Sequence, residues 1–274
     1  MKGKQKNKIM NNSPIGIFDS GFGGLTVLSA INKMLPLENI IYFGDTAHVP
    51  YGTKSKNTVI KFSKMITSFL IKQEVKLVVI ACNTASAFAL PVLRETFKVP
   101  IIGVISPGAK AAVSASKNKK IGIIGTEGTV NSKSYFKEIN KISKADVYQQ
   151  ACPLFVPLVE EGWTSGEIVD NVVKKYMKPL LNKNIDTLVL GCTHYPLLSK
   201  SLKKNLGTNI TLVDSAKATA QEVKSVLKQE FLFANKKRNM KIKFYVSDSS
   251  EKFRIIGRRF FGKKMSYIKK MEID

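Results

Sequence analysis

The sequence predicts an α/β protein of two pseudo-symmetric domains, each a mainly parallel sheet flanked by helices, with a site in the cleft between them. Short apolar runs alternate with amphipathic stretches, which is the pattern of βαβ units. The runs are rich in Val, Ile and Leu and lack clean alternation, as expected of strands buried on both faces. A chain of 274 residues is long enough for two domains of ordinary size.

The apolar runs place the predicted strands, and the amphipathic stretches place the predicted helices. Strands are expected at residues 15–18, 40–43, 77–81, 101–104, 121–124, 187–190, 210–213 and 242–246. Helices are expected at residues 25–35, 54–73, 85–97, 131–142, 167–181, 197–206, 216–229 and 250–261.

Two pairs of segments resemble each other at nearly the same spacing. Residues 15–21 (IGIFDSG) resemble residues 121–128 (IGIIGTEG), and residues 78–84 (VVIACNT) resemble residues 188–194 (LVLGCTH). Chance similarity between short apolar strands is the alternative, but two pairs in near register favour related halves. Each half then places a cysteine just beyond the end of a buried strand.

The repeat predicts how the chain divides into domains. The first domain is expected to span residues 1–106 together with 215–274, and the second, residues 107–214, is inserted into it. Residues 106–108 and 214–215 would be the crossings, and the polar, basic residues 1–13 are expected to form a disordered extension. A ligand would lie between the halves, at the carboxyl ends of both sets of strands.

The composition is strongly basic, with 44 Lys and Arg against 20 Asp and Glu and a net charge of +24. Nearly all of the excess is Lys, whereas nucleic-acid readers favour Arg for bidentate contacts. The Lys residues are dispersed, with clusters only at 117–120, 236–238 and 263–270. This distribution is typical of solvated surfaces, so it argues against a nucleic-acid partner, while the positive field would help to attract a small anionic substrate.

Cysteine usage and hydropathy indicate a reduced, cytoplasmic protein without a membrane span. Three cysteines, an odd number without a CxxC motif, are too few for a disulfide framework. The most apolar segment is interrupted by polar residues, whereas a spanning helix needs about 20 mostly apolar ones. The N-terminus lacks the apolar core of a signal peptide.

The loops after the first two strands are candidate binding loops. Asp19 and Ser20 begin a glycine-rich turn, which suits close approach to a ligand and an anion at the helix start. Its spacing matches neither the dinucleotide nor the P-loop motif, so no nucleotide cofactor is indicated. The second loop, residues 44–52, is long and polar and ends in Tyr51 and Gly52, and long loops at this edge of a sheet are often functional.

The two cysteines of the repeat are the sharpest candidates for chemistry. Each begins a polar triplet, and the triplets are Cys82-Asn83-Thr84 and Cys192-Thr193-His194. A single cysteine after an apolar strand is more often core packing, but two in matched positions favour a functional pair. Cys152 lies between Ala151 and Pro153 without a polar triplet, so it is predicted to be structural.

Three kinds of site could use two facing thiols. A closed zinc site needs further soft or imidazole ligands at short spacing, and the chain has only two His, so no metal is expected. A nucleophilic hydrolase needs one Cys, which would leave the second superfluous. A two-base racemase uses both, because one group removes a proton from one face of a carbon while the other protonates the opposite face.

The neighbouring polar residues have roles in such a site. A free thiol has a pKa near about 8.5, so one Cys must be deprotonated with help, and Asp19 and His194 are the candidate helpers. The other polar side chains could hold carboxylates and stabilise a carbanion-like transition state, and these are Asn83, Thr84, Thr193 and Ser20.

Several motifs together resemble the bacterial glutamate racemases of the aspartate/glutamate racemase family. They are IGIFDSGFGGLTV (15–27), YFGDTAHVPYG (42–52), VIACNTAS (79–86), GVISPG (103–108), PLFVPLVEEG (153–162), LGCTHYPLL (190–198) and LVDSA (212–216). The resemblance covers residues 15 to about 262 and implies a two-domain α/β fold without cofactor or metal. It also implies a supply of D-glutamate for peptidoglycan and assembly as a homodimer.

The resemblance carries residue roles as well. It implies that Cys82 and Cys192 are the proton donor and acceptor pair, with Cys82 acting on D-glutamate and Cys192 on L-glutamate. The implied substrate contacts are Asp19, Ser20, Tyr51, Gly52, Asn83, Thr84, Thr193 and His194. Asp45 and Glu160 match acidic positions that assist in the family, although a capping or surface carboxylate explains them equally well.

Two other functions stay open at this point. A related racemase or isomerase, for aspartate, a hydantoin or maleate, differs only in substrate size and in the contact to the second carboxylate. A basic nucleic-acid-binding protein on the same fold would account for the charge of +24 but not for the intact cysteine pair. His48 departs from the larger or basic residue expected in the second loop.

Overall fold

The computed structural model describes residues 12–234 and 240–272 of the chain. The extension predicted for residues 1–13 therefore lies outside the described residues except for Asn12 and Ser13, and the basic cluster at 236–238 also lies outside them. The described chain forms two parallel sheets covered by helices, which confirms the predicted α/β class.

The larger sheet has six parallel strands in the order β10-β9-β2-β1-β3-β4. Its strands are β1 (Ile15–Asp19), β2 (Ile40–Gly44), β3 (Leu77–Ile80), β4 (Ile101–Gly103), β9 (Ile242–Val246) and β10 (Ile268–Lys270). The central strand β1 pairs with β2 on one side and β3 on the other, so their carboxyl ends meet at one edge.

The smaller sheet has four parallel strands in the order β6-β5-β7-β8. Its strands are β5 (Lys120–Gly125), β6 (Asp146–Ala151), β7 (Thr187–Gly191) and β8 (Thr211–Asp214). The pairs β1–β3 and β5–β7 are related as the repeat predicts, since each cysteine of the pair follows the second strand of its set.

Helices connect the strands and cover both sheets. They are α1 (Leu25–Met34), α2 (Lys56–Lys72), α3 (Asn83–Thr96), α4 (Ile105–Ala115), α5 (Glu127–Asn131), α6 (Ser134–Ile142), α7 (Phe155–Glu160), α8 (Glu167–Leu181), α9 (Ser199–Leu206), α10 (Ser215–Gln229) and α11 (Ser250–Phe261). Short 3-10 helices lie at Tyr51–Thr53 and Tyr195–Leu198.

The strands of the larger sheet are buried on both faces, as their composition predicts. Phe18 faces the core formed with α2 and α3, whereas its neighbour Ile17 faces the core formed with α1, α10 and α11. The second of these cores continues into the smaller sheet through Leu188 and Leu190, so apolar packing is continuous between the halves.

Each predicted strand is present with small shifts in its ends, but the sequence missed two edge strands. In β6 (DVYQQA) most residues are polar or only partly buried, and β10 (IKK) carries two exposed Lys. Both lie at the edge of a sheet, where a strand pairs on one side only and polar residues are tolerated. Hydrophobic patterning passes over edge strands of this polar composition, although it finds the edge strands β4 and β8, which keep short apolar runs.

The sequence also missed α4, α5 and α7. Residues 106–108 (SPG), predicted to be a crossing, lie in the first turn of α4. Proline is tolerated there because the first helical N–H groups have no intrahelical partner. The predicted helix at 131–142 corresponds to α6, which begins only at Ser134 because Lys133 before it has a left-handed conformation.

The two predicted crossings lie side by side. A Cβ on Gly108 in α4 would lie 3.1 Å from Cβ of Ser215, the first residue of α10. Strand β4, which precedes Gly108 in the chain, lies in the larger sheet, whereas β8, which precedes Ser215, lies in the smaller one. The chain therefore passes from one sheet to the other at each of these two points. The domain boundaries themselves stay a prediction.

Among residues 12–234 and 240–272, the structure has no helix long and apolar enough to span a bilayer.

Candidate active site

The carboxyl ends of both sheets face one small cavity with about 20 Å³ of free space. The residues that line it are Ser20, Val49, Pro50, Tyr51, Gly52, Cys82, Asn83, Thr84, Thr126, Val156, Cys192, Thr193 and His194. The structure thus brings together every predicted site residue except Asp19, which lies behind the lining, fully buried next to Ser20. A larger open groove, near α3, α4 and α6, contains none of the predicted site residues.

Cys82 enters the cavity from the larger sheet. It follows β3 and is the N-cap of α3, where its sulfur accepts a hydrogen bond from the Ala85 N–H at 3.5 Å. Its side chain is buried, and burial together with the nearby Asp19 carboxylate raises the pKa of Cys82 to about 12. The Ser20 hydroxyl, which interacts with the sulfur, opposes this rise. At neutral pH these surroundings keep Cys82 in its thiol form.

Asp19 lies at the end of β1, where the sheet turns into the glycine-rich loop. Its Oδ2 accepts a hydrogen bond from the Gly21 N–H at 3.0 Å, whereas its Oδ1 is buried without a hydrogen-bond partner among the described residues. Burial raises the pKa of Asp19, and the positive charge of His194 and backbone N–H groups oppose the rise. A buried carboxyl with an unused oxygen beside Cys82 is suited to exchange a proton with that side of the site.

Cys192 enters the same cavity from the smaller sheet, directly after β7. Its Sγ lies 3.8 Å from Nδ1 of His194, and Nε2 of that imidazole lies 3.0 Å from Oε1 of Glu160. Burial by itself lowers the pKa of His194, but the hydrogen bonds with Cys192 and Glu160 outweigh it and raise the pKa to about 10. His194 is therefore protonated at neutral pH, which places a positive charge beside the Cys192 sulfur.

Asn83 and Thr84 follow Cys82 in the first turn of α3. The Asn83 Oδ1 accepts a hydrogen bond from the Tyr135 hydroxyl at 2.8 Å, while its Nδ2 is buried without a partner among the described residues. The Thr84 hydroxyl lies 2.8 Å from the hydroxyl of Thr126 and 3.3 Å from that of Thr129. Asn83 thus has a free donor in the wall of the cavity, as a site for an anionic group requires.

The second loop is held in place by Asp45. Its carboxylate accepts hydrogen bonds from the hydroxyls of Tyr51 at 2.5 Å and Ser247 at 2.7 Å, and lies 2.8 Å from Nδ1 of His48. His48, which stands where a larger or basic residue was expected, also stacks on Phe62 with ring centroids 3.8 Å apart. Asp45 is fully buried and does not line the cavity, so its contacts orient the loop that carries Tyr51 and Gly52.

Two glycines allow the halves to approach closely. A Cβ on Gly23 would lie 2.2 Å from the Thr193 Oγ1 and 2.5 Å from Nδ1 of His194. A Cβ on Gly52 would lie 2.6 Å from Cβ of Thr126. Any other residue at either position would have to displace the opposite half, because real side chains do not approach at these distances.

Sequence reasoning missed four residues that line the cavity, namely Val49, Pro50, Thr126 and Val156. A signal existed for Thr126, because it occupies in the repeat the position that Ser20 has in the first half. Val49 and Pro50 lie in the second loop, which the sequence had marked as a candidate binding loop, whereas Val156 carried no such signal. Cys152 does not line the cavity; its Sγ donates a weak hydrogen bond to the Gln150 carbonyl at 3.7 Å.

Within the part of the chain that the structure describes, no group of three or more His, Cys, Asp or Glu side chains is arranged to hold a metal ion.

A thiol from each of two α/β halves at one cavity is the arrangement that the sequence predicted for a two-base site. The family model described as Asp/Glu/Hydantoin racemase matches residues 15–223. The chain belongs to this family of isomerases and, within it, groups with the glutamate racemases.

Sequence comparison shows this grouping at high coverage. The glutamate racemase of Neisseria meningitidis serogroup A is 52% identical over 262 residues, which are 95% of this chain and 97% of the relative. The glutamate racemase of Geobacter metallireducens is 47% identical over 261 residues, with the same coverage of 95% and 97%.

Solved structures share the fold over nearly the full chain. The glutamate racemase of Francisella tularensis in complex with D-glutamate has a TM-score of 0.90 and 41% identity, covering 96% of this chain and 98% of that one. Escherichia coli glutamate racemase in complex with L-glutamate and the activator UDP-MurNAc-ala has a TM-score of 0.78 and 28% identity, covering 95% and 99%.

Proposed function

We propose that the protein is a cofactor-independent glutamate racemase that interconverts L- and D-glutamate by proton transfer between Cys82 and Cys192. The observation that supports this most directly is that the two thiols, one from each half, line one cavity in unlike surroundings. Cys82 lies near a carboxylate, and Cys192 lies beside an imidazolium. One side of the cavity is thus suited to an acid and the other to a base.

The surroundings suggest the order of proton transfers for L-glutamate. The Cys192 thiolate removes the α-proton and becomes a thiol, leaving a carbanion at the α-carbon. The Cys82 thiol then donates its proton to the opposite face and becomes a thiolate, giving D-glutamate. In the reverse direction the roles exchange, with Cys82 as base and Cys192 as acid.

After each turnover Cys82 must regain a proton and Cys192 must lose one, and in this scheme both exchange with water once the product has left. The Asp19 carboxylate favours the return of a proton to Cys82, since burial and the charge of that carboxylate raise the pKa of the thiol. The His194 imidazolium favours the loss of the proton from Cys192, and Glu160 holds the imidazole ring in place. No cofactor takes part in this scheme.

The other polar residues of the cavity are proposed to bind the substrate. Donors such as Nδ2 of Asn83 and the hydroxyls of Thr193 and Ser20 suit the two carboxylates of glutamate. Hydrogen bonds to the α-carboxylate strengthen as negative charge develops on it, which stabilises the carbanion-like transition state. Tyr51, Gly52, Thr84 and His194 complete the proposed set of contacts.

Circular dichroism of glutamate incubated with the pure protein tests the activity. Without added cofactor, the signal of either enantiomer should decay to zero, because the two are equal in energy. Exchange of the α-proton for deuterium in D₂O should occur with glutamate. Exchange confined to aspartate would instead favour the alternative of an aspartate racemase.

Substitution of the cysteines tests the mechanism. Cys82→Ala and Cys192→Ala should each lower racemisation by at least about 10³-fold, because each removes one of two obligatory proton carriers. Cys82→Ser keeps an N-cap side chain on α3 and should be nearly as inactive, which separates chemistry from helix capping. Cys152→Ala is the matched control and should stay within about twofold of the native rate. Full activity in either catalytic variant would contradict the scheme.

The cellular setting is proposed from the family. The protein would act in the cytoplasm and supply D-glutamate for peptidoglycan, and it would assemble as a homodimer. Sedimentation equilibrium at several protein concentrations measures the assembly. The dispersed Lys residues and the small polar cavity favour a small dicarboxylate over a nucleic acid as the partner.

A further inference from the structure

The C-terminal helix α11 connects the two halves close to Cys192. It lies between β9 and β10 of the larger sheet and packs on α1, and its Phe253 stacks on Phe22, in the loop before α1, with ring centroids 5.8 Å apart. In its last turn, however, two consecutive side chains contact residues that follow the smaller sheet's strands. These are Arg259 and Phe260.

Arg259 holds the end of α7. Its Nη1 donates a hydrogen bond to the backbone carbonyl of Glu160 at 2.7 Å, and a cation at the last carbonyls of a helix is favourable. Two residues further on, Gly162 has a φ of +85°, and a Cβ there would lie 2.9 Å from the guanidinium carbon of Arg259. Because Gly162 has no Cβ, the turn after α7 has room for the guanidinium group of Arg259.

Phe260 holds the imidazole that Glu160 contacts. Its buried ring meets the His194 ring edge to face, with centroids 5.0 Å apart and an interplanar angle of 77°. The titratable groups that face His194 are Cys192 from its own loop, Glu160 from α7 and Asp19 from the end of β1. The end of α11 therefore supports both partners of the Glu160–His194 pair.

We propose that Arg259 is a positioning residue for the Cys192 side of the site, acting through the backbone of Glu160 to fix the carboxylate that orients His194. This inference rests on the proposed racemase function and extends it to a residue on the opposite half. Arg259 itself is exposed and does not line the cavity. Its effect would reach the reaction only through the hydrogen bonds Arg259–Glu160 and Glu160–His194.

Kinetics of Arg259→Met test the proposal. With glutamate as substrate and circular dichroism as the readout, kcat should fall about tenfold while KM stays within about twofold, because a displaced base affects the transition state rather than binding. The alkaline limb of the pH profile of kcat/KM should move to lower pH, since a displaced Glu160 stabilises the His194 imidazolium less. Arg259→Lys should recover part of kcat.

Two further variants test whether the effect of Arg259→Met arises from its hydrogen bond to Glu160. Arg258→Met removes the neighbouring exposed cation, whose side chain has no hydrogen-bond partner among the described residues, and should leave kcat and the pH profile unchanged. In a Glu160→Gln background, Arg259→Met should lower kcat by less than about twofold further, since both act on one contact. A full tenfold loss in that background, or a native pH profile in Arg259→Met, would overturn the proposal.

The same experiments separate this inference from the proposed function. If the native protein racemises glutamate and Cys192→Ala does not, the proposed function holds whatever Arg259→Met does. If the native protein does not racemise glutamate, the function itself fails. Arg259→Met with native kcat beside an inactive Cys192→Ala would overturn the positioning role alone.

Discussion

Cys82 and Cys192 are identical side chains whose neighbours differ in charge. The carboxylate of Asp19 and burial raise the pKa of Cys82 to about 12, whereas the nearest titratable partner of Cys192 is the imidazole of His194 at 3.8 Å. A racemase that acts on both enantiomers needs one thiol and one thiolate at the start of each turnover. The charges beside the two sulfurs differ in sign even though the fold is pseudo-symmetric.

Glu160 helps to set the pKa of His194, and thus the pH at which its imidazolium loses a proton. Burial opposes protonation of His194, and the contacts with Cys192 and Glu160 raise its pKa to about 10. His194 is therefore protonated below about pH 10 and loses its proton above it. Glu160→Gln removes one of the anionic partners, so the pKa of His194 should fall and the imidazolium should be lost at lower pH.

The pH profile of kcat/KM measures this effect. In Glu160→Gln the alkaline limb should move towards neutral pH, and kcat at neutral pH should fall by about 10–100-fold. Glu161→Gln, at the adjacent exposed carboxylate, is the control and should keep the native profile. An unshifted alkaline limb in Glu160→Gln would show that His194 is not the group that titrates there.

At the scale of elements, the glycine-rich loop between β1 and α1 closes the site against the other half. Gly23 lies against the side chains of Thr193 and His194, at distances that leave no space for a methyl group. The sequence predicted this loop as a close approach to a ligand. The structure shows a close approach to the polar triplet of the opposite half.

Gly23→Ala should therefore disturb both halves of the site together. The added methyl group would displace Thr193 or His194, so kcat/KM for glutamate should fall by about 10²-fold or more. Gly16→Ala is a suitable comparison, because its Cβ would meet only flexible side-chain ends of Val75 and Leu70, the nearest at 3.1 Å. It should lower the melting temperature slightly without changing KM; native kinetics in Gly23→Ala would refute the steric argument.

The elements that the sequence missed share a physical cause. The edge strands β6 and β10 lack an apolar run, which a strand that pairs on one side only can tolerate. Helix α4 has in its first turn a Ser-Pro-Gly sequence that is typical of a turn, yet proline fits the first turn of a helix. In each case the surrounding structure, and not the local pattern, decides the conformation.

At the scale of the whole molecule, the cavity is smaller than its proposed substrate. About 20 Å³ of free space holds about one or two water molecules, whereas glutamate has ten heavy atoms. We therefore expect the halves to separate around the α4–α10 contact to admit glutamate. The close contacts at Gly23 and Gly52 would then break and re-form.

The net charge of +24 is also a property of the whole molecule. Binding to duplex DNA that rests on dispersed Lys alone should be weak and should fall steeply between about 50 and about 200 mM salt. Fluorescence anisotropy with a labelled duplex measures this dependence. Racemisation of glutamate should persist with the duplex present. Tight binding that survives high salt, in a protein without racemase activity, would favour the nucleic-acid alternative.

The sequence by itself determined the α/β class, the pairing of halves and the two cysteines, because buried strands and their terminal loops carry local, repeated patterns. Only the tertiary structure decided that Glu160 contacts His194, that Asp45 supports Tyr51 without entering the cavity, and that Thr126 lines it. These contacts join residues from different elements, and their distances depend on how the sheets pack. No pattern within one segment encodes such a distance.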